Sequence, residues 1–430
     1  MNSKIQNEIK ELVQQQVISQ EIASEIEAYY HSKKSTSPNR LFTVFGVLGS
    51  LLVGLGIILI LAHNWDNFSK ITKTLLAFLP LIIGQGSVGF SILKNKSTVW
   101  KEASGTFLFF AVGSSISLIS QIYNIPEDFN AFLLTWILLC APLIYLLKSN
   151  TLGILHIVFM TYYAIEFGFD FLSTGNTPWY YLLLLVIVLP HYWQLIKYQF
   201  NTNITSIFNW LLPLSLTIVL IAFINDVDAL GILMYVILFG LLYNIGKLPK
   251  FDNGRLRQNG YLILGSLGTV YMLMITSFDW FWDDLIKKPS DFNSQEAYIS
   301  LVLFIIALGI LVYSYIRKQI KFYNISHYAF IIFTVVFLVV FSNKYISIAL
   351  INLLILVIAL ITIKIGTNKF HFGILNYGLL IIAILIVCRF FDTDMSFIIR
   401  GLLFVGFGLG FFLANYFMFK KQKKRKMNLK

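Results

Sequence analysis

The feature that most constrains this chain is a series of long apolar segments that begins at residue 41. Segments 41–62 and 346–363 are apolar along almost their whole length and show no alternation of polar and apolar positions. Only helices and closed barrels satisfy their backbone amides inside a bilayer, and barrel strands alternate apolar with polar residues. The segments therefore predict an all-α fold, a polytopic transmembrane helical bundle.

The composition supports the same fold class. Charged residues make up 13% of the chain and hydrophobic residues 57%, against about 25% and 45–50% in soluble globular proteins. The two cysteines, Cys140 and Cys388, lie inside apolar segments and are predicted to be small core residues. No Cys or His cluster has metal-ligand spacing, so the sequence predicts neither a metal site nor a bound cofactor.

A helix needs about 20 residues to cross the hydrocarbon core, and fourteen segments of the chain meet that need. Several connections between them are short, so the predicted count is twelve to fourteen. The predicted spans are 41–62, 71–93, 103–122, 130–147, 150–169, 178–197, 205–224, 228–246, 259–279, 296–316, 326–342, 344–364, 371–390 and 395–418.

Charge predicts the orientation of these spans, because Lys and Arg accumulate on the cytoplasmic side of membrane proteins. With fourteen spans and the N-terminus inside, most Lys and Arg residues fall in inner segments and most acids fall in outer loops. Glu102 and Asp252 are the two acids of the inner loops. The pattern predicts that both termini face the cytoplasm. The net charge of +12 is then an orientation signal that needs no nucleic-acid partner.

Three parts are predicted along the chain: a cytoplasmic helical hairpin with its linker at 1–40, a transmembrane domain at 41–419 and a basic tail at 420–430. Ser19 is a good N-cap for the second helix of the hairpin. We expect the hairpin to dock on the membrane domain or to pair with another copy or a membrane partner. The tail is expected to bind anionic lipid headgroups. The first apolar segment is expected to act as an uncleaved anchor.

Ionisable side chains inside a membrane are rare and indicate a function by default. The fifth span holds His156, Tyr163, Glu166 and Asp170 at spacings of seven, three and four, which predict that they share one helical side. One hypothesis is an ion-coupled path. Glu166 would take the proton or cation, Arg400 would supply its counter-charge, and His156 and His191 would form an inner relay.

The alternative for the same residues is structural pairing. The histidines would bond backbone carbonyls, Arg400 would pair with Asp392 or Asp394, and Arg389 would extend outward to the interface. A further outer segment, DWFWDDLIKKPSDFNSQ at 279–295, is acidic and aromatic and is typical of an interfacial lid or a weak cation site.

Uncharged polar residues indicate a second candidate site. Gln85 lies in the second predicted span, and Ser114, Ser117 and Gln121 lie in the third. Small residues between them allow close helix packing, so the pattern predicts either a packed contact or a polar cavity. The sequence holds no phosphate loop, dinucleotide fingerprint, zinc-protease motif or nucleophile elbow. No catalytic residue is predicted, and the sequence favours a protein that is not an enzyme.

Two stretches resemble a family of bacterial predicted membrane proteins, domain of unknown function 2157. Residues 1–150 carry the Asn64-Trp65-Asp66 corner, the Gln121-Ile122-Tyr123 exit of the third span, and Trp136 with Pro142. The C-terminal stretch RFFDTDMSFIIRGLLFVGFGLGFFLAN is also similar to longer members. The resemblance implies a multi-pass protein of the bacterial inner membrane and directs attention to Asn64, Trp65, Asp66, Gln121 and Tyr123. It implies no substrate and no catalytic residues.

Three functions follow as hypotheses. The first is a transporter or flippase-like protein for a small or lipid-linked solute, favoured by the span count and the buried polar residues. The second is a non-catalytic scaffold or envelope-assembly subunit that binds partners through the hairpin and the tail. The third is a membrane-embedded transferase that acts on a lipid-linked substrate through outer acids, and it predicts Asp66, Glu127 or Asp128 inside an outer cavity.

Overall fold

The computed structural model describes residues 3–34, 65–126, 128–168, 177–224, 229–287, 293–319, 324–340, 342–392 and 397–427. These residues form helices and connecting turns, with no strand among them. The chain divides into two compact units, Met1–Leu76 and Ala77–Lys430. Predicted span 41–62, Asn64 and Asp170 lie outside the described residues.

The helices are numbered here in chain order. They are α1 Ser3–Gln14, α2 Gln20–Lys34, α3 Lys70–Leu93, α4 Thr98–Tyr123, α5 Phe129–Leu147, α6 Asn150–Gly168, α7 Tyr180–Tyr198, α8 Asn203–Val219, α9 Ala229–Gly246, α10 Gly260–Ile275, α11 Asp279–Lys287, α12 Gln295–Ile316, α13 Ala329–Val340, α14 Lys344–Lys369, α15 Phe372–Asp392 and α16 Phe397–Met427. Short helical turns lie at Trp65–Asn67, Leu220–Phe223, Pro249–Asp252, Leu256–Gln258 and Ile325–His327.

The first unit contains the predicted hairpin. The hydroxyl of Ser19 accepts a hydrogen bond from the amide of Ile22 at 3.3 Å, so Ser19 caps α2 as predicted. Ile9 on α1 and Ala23 on α2 are buried. The second helix ends at Lys34, inside the predicted segment 1–40.

Each predicted span that falls on described residues coincides with one helix. By length and composition, nine helices in the described part of the chain can cross a membrane. Four more are apolar but shorter: Leu230–Gly246, Gly260–Ile275, Ala329–Val340 and Phe404–Lys420. The protein is therefore a multi-pass helical membrane protein, while the count of fourteen spans and the orientation stay predictions.

Helix boundaries are set by short polar side chains that the apolar pattern does not show. Asp128 caps α5, Thr202 caps α8, Asn259 caps α10 and Asn343 caps α14, each accepting from a backbone amide of the first turn. These residues satisfy amides that have no partner inside the helix.

Helix α9 forms the centre of the second unit. Nearly all its described side chains are buried, which is typical of a helix that is apolar on every side. It packs most closely against α10 and α12. A Cβ added at Gly265 of α10 would lie 2.3 Å from the backbone nitrogen of Tyr243 on α9. The contact between these helices therefore needs glycine at position 265.

A second group of helices packs around α6, which contacts α4, α5, α7 and α8. Polar side chains of this group form hydrogen bonds between its helices. The hydroxyl of Ser215 on α8 lies 2.6 Å from that of Thr161 on α6 and 2.8 Å from that of Tyr181 on α7. These polar groups therefore fasten the helices together.

Candidate functional site

A groove of about 1660 Å³ runs between α3, α4 and α5. Apolar side chains such as Leu81, Leu139 and Leu143 line much of its wall. Polar side chains share the same lining: Gln85, Ser115, Ser117, Ser120, Gln121, Asn124, Asp128 and Thr135. The groove therefore offers both an apolar surface and hydrogen-bonding groups.

Several of these polar groups are free to bind a ligand. In the part of the chain that the structure describes, the side chains of Gln85, Ser117 and Gln121 form no hydrogen bond with another protein group. Ser115 differs, because its hydroxyl donates to the carbonyl of Ala77 at 2.7 Å. The groove thus contains donors and acceptors that the fold itself does not use.

The polar groups are spread along the groove. A Cβ added at Gly84 would lie 3.2 Å from the Cα of Leu108, so Gln85 is close to the level of Leu108. Gln121 lies thirteen residues further along α4, about 20 Å away at 1.5 Å per residue. Asn124 and Asp128 mark the end of the groove beyond Gln121. Gln85 is therefore a single amide far from the polar end.

The comparison with known families falls on this part of the chain. Residues 10–153 match the model of DUF2157, a family described as predicted membrane proteins. The resemblance stated from the N-terminal third is confirmed, and the whole groove lies inside the DUF2157 region. The stated likeness of the C-terminal end falls outside the matched residues. No curated protein and no solved structure matches the chain.

The residues that the family resemblance singled out are divided between the two units. Trp65 and Asp66 form a helical turn in the first unit, where the ammonium of Lys73 lies 5.8 Å from the centre of the Trp65 ring. Tyr123, at the end of α4, is exposed. Of the residues that the resemblance singled out, Gln121 lines the groove.

Trp136 of the DUF2157 region has a packing role beside the groove. Its indole nitrogen donates to the carbonyl of Phe109 at 2.7 Å. Its ring lies 2.4 Å from where a Cβ of Gly113 would be, so the ring needs glycine on α4. Trp136 therefore holds α5 against α4 and fixes one wall of the groove.

The described side chains predicted for an ion path, His156, Glu166 and His191, are not among the residues that line the groove. His156 is buried, and its Nε2 lies 2.8 Å from the carbonyl oxygen of Leu184 on α7, as the structural alternative predicts. Tyr163 is also buried, whereas Glu166 is exposed. Over the ten residues from His156 to Glu166, the helix turns about 80° less than three full turns. The two side chains therefore do not share one side of α6, contrary to the prediction from the sequence. Arg400 lies in α16, but its side chain is outside the described residues.

His191 belongs to a cluster at the start of α6 that the sequence does not reveal. The carboxylate of Glu102 accepts from the amides of Asn150 at 2.8 Å and Thr151 at 3.1 Å, and it also bonds the hydroxyl of Ser149. The Nε2 of His191 lies 3.2 Å from the side-chain oxygen of Asn150. An acid at the positive end of a helix is stabilising. This cluster joins α4, α6 and α7.

Arg389 and the acidic segment lie together at another helix end. Arg389 donates to the hydroxyl of Ser277 at 3.1 Å, and its guanidinium lies 4.9 Å from the centre of the Phe278 ring. Segment 279–295 begins with α11, whose Asp279 and Asp283 both pair with Lys344. These two acids of the predicted cation site are thus held by an ammonium group. Arg389 thus contacts the turn between α10 and α11.

A buried polar cluster surrounds the end of α9, and sequence reasoning missed it. His327 Nδ1 lies 2.7 Å from the side-chain oxygen of Asn244, whose nitrogen donates to the carbonyl of His327 at 3.1 Å. The partners are 83 residues apart, so no local pattern predicts the contact. Asn324 donates to the hydroxyl of Tyr243 at 2.9 Å.

Asp252 lies beside this cluster and binds two lysines. Its carboxylate oxygens lie 2.9 Å from the Lys247 ammonium and 3.5 Å from the Lys369 ammonium. Burial acts to raise the pKa of Asp252, but the two lysines outweigh it and hold that pKa below its ordinary value. Burial acts to lower the pKa of Lys247, but Tyr243 and Asp252 outweigh it and raise that pKa. Asp252, the second acid of the predicted inner loops, thus joins separate segments of the chain, as Glu102 does.

Proposed function

We propose that the protein binds a lipid or lipid-linked solute in the groove of the DUF2157 region and moves its polar part along the groove, as a transporter or flippase of the bacterial inner membrane. The observation that carries the proposal is the set of unused polar groups on α3 and α4. An amide in hydrocarbon without a hydrogen-bond partner costs roughly 2–7 kcal/mol. Gln85, Ser117 and Gln121 therefore need water or a ligand.

The distribution of the lining supports an amphiphilic ligand. Gln121, Asn124 and Asp128 gather at one end, where a polar headgroup would lie. Leu81, Leu139 and other apolar residues line the remainder and would hold a hydrocarbon chain. Gln85 provides a polar contact about 20 Å from Gln121, which would receive a headgroup that moves inward. In the predicted topology, the polar end of the groove is on the outer side.

The transferase hypothesis has less support from the site. Asp128 lines the groove, but one of its oxygens accepts from the amide of Ala131 at 2.9 Å and so caps α5. Asp66 belongs to the first unit, and Glu127 lies outside the described residues. The scaffold hypothesis is favoured by a different observation, the exposed Leu12, Val17 and Ile22 of the hairpin, which offer an apolar surface to a partner.

Photo-crosslinking in membranes tests the proposed ligand. A photoreactive residue would replace Leu139, which lines the groove and is 59% exposed. The matched control would replace Leu183 on α7, which is 50% exposed and lies outside the groove lining. We expect position 139 to capture a class of amphiphile that position 183 does not enrich. Capture of the same bulk lipid mixture at both positions, or of the chain itself at 139, would contradict the proposal.

A further inference from the structure

The charge of the side chains that line the polar end of the groove restricts which ligand it can bind, provided that the proposed function holds. Among the described lining residues there is no Lys, Arg or His. Phosphate and carboxylate groups are bound most strongly by charged donors such as Arg and Lys. The hydrogen-bonding groups here are side-chain amides and hydroxyls, with one carboxylate.

The start of α5 would otherwise be the natural site for an anion. Helix N-termini attract anions through their free amides and their dipole. Here Asp128 occupies that position, because its carboxylate accepts from the amide of Ala131 at 2.9 Å. A phosphate placed beside Asp128 would meet a like charge. The carboxylate of Asp128 therefore disfavours an anionic headgroup at the polar end of the groove.

The same groups suit a ligand with many hydroxyls. A hydroxyl both donates and accepts, and the amides of Gln121 and Asn124 offer both functions. The hydroxyls of Ser117 and Thr135 do the same, and all four residues line the groove. Neither an excess of donors nor an excess of positive charge is present.

We propose that the groove selects a lipid with an uncharged, polyhydroxylated headgroup, such as a glycosyl diacylglycerol, over lipids with an anionic phosphate headgroup. The juxtaposition that assigns this class is Gln121 and Asn124 beside the carboxylate-capped start of α5. The inference deepens the proposed function, since it names the headgroup that the same groove binds.

The test is lipid binding to the purified full-length protein in detergent, read by native mass spectrometry. A monoglycosyl diacylglycerol, phosphatidylglycerol and phosphatidylethanolamine with identical acyl chains serve as probes. We expect the glycolipid to bind about tenfold more tightly than phosphatidylglycerol, as the loss of one or two hydrogen bonds would give. Gln121→Leu should remove this preference, whereas Gln194→Leu, at an exposed position on α7 outside the lining, should keep it.

Asp128→Asn provides a second readout that does not depend on loss of binding. Asn is also a good N-cap, so α5 keeps its cap while the charge is removed. We expect this variant to bind phosphatidylglycerol more tightly than the unmodified protein does. Equal binding of phosphatidylglycerol and glycolipid to the unmodified protein would overturn the headgroup selection and leave the groove as a lipid site. If none of the three lipids binds, the proposed function itself fails.

Discussion

The hydroxyl of Ser115 on α4 donates to the backbone carbonyl of Ala77 on α3 at 2.7 Å, and the serine is buried. Two residues later, Ser117 faces the groove without a protein partner in the described part of the chain. The two serines are close in sequence but have different roles. Both line the groove, but the hydroxyl of Ser115 holds α4 to α3, whereas the hydroxyl of Ser117 is available to a ligand.

Ser115→Ala is expected to lower the free energy of unfolding by about 0.5–1.5 kcal/mol, because it removes a buried hydrogen bond between α4 and α3. Ser117→Ala should leave the free energy of unfolding unchanged and weaken ligand binding. Thermal unfolding in detergent measures both variants side by side. Equal losses of stability would mean that the two serines do not have separate roles.

Gln85→Leu is expected to reduce lipid movement in proteoliposomes strongly, because it removes the polar contact deep in the groove. Glu166→Gln should leave the rate unchanged, since Glu166 does not line the groove. The ion-path hypothesis predicts instead that Glu166→Gln reduces the rate of transport more than Gln85→Leu does. A lipid-translocation assay with both variants, reconstituted at equal density, decides between them.

Gly265→Ala is expected to destabilise the protein by about 1–3 kcal/mol, because the added Cβ would overpack the contact with the α9 backbone. Gly309→Ala on α12 is the matched control, since a Cβ there meets nothing within 4 Å. The midpoint of thermal unfolding should fall for the first variant alone. Similar midpoints for both would show that α9 and α10 are not in close contact.

Asp252→Asn is expected to destabilise the protein by about 1–3 kcal/mol at neutral pH, because the mostly buried Lys247 loses its partner. The raised pKa of Lys247 stabilises the fold below pH 10.5, the ordinary pKa of lysine. The lowered pKa of Asp252 stabilises the fold above pH 3.8, the ordinary pKa of aspartate. The contribution of the pair should thus be constant between about pH 5 and pH 9.

In Asp252→Asn, Lys247 keeps the burial that lowers its pKa and loses the carboxylate that raises it. The variant should therefore gain stability relative to the unmodified protein as pH rises from 7 to 10. The double variant Lys247→Met/Asp252→Asn should recover most of the loss at neutral pH. Unfolding midpoints across this pH range provide the measurement. If the unfolding midpoint of the variant follows the same pH dependence as that of the unmodified protein, the pair does not contribute in this way.

The helices were predictable from the sequence, because an apolar segment of about 20 residues has few stable alternatives in a membrane. The exposed or buried side of each helix was harder to predict. The stripe of His156, Tyr163 and Glu166 drifts around α6, and the groove lining at Gln85 and Gln121 was one of two open alternatives. The pairs Asn244–His327 and Asp252–Lys369 join distant segments, so they depend on tertiary packing that no local pattern encodes.

The most direct test of the account is an electron-microscopy map of the protein in nanodiscs of native lipid. We predict elongated density in the groove, with its polar end within hydrogen-bond distance of the Gln121 amide and its apolar part along Leu139 and Leu143. A groove filled by protein side chains, with no lipid density between α3, α4 and α5, would contradict the account.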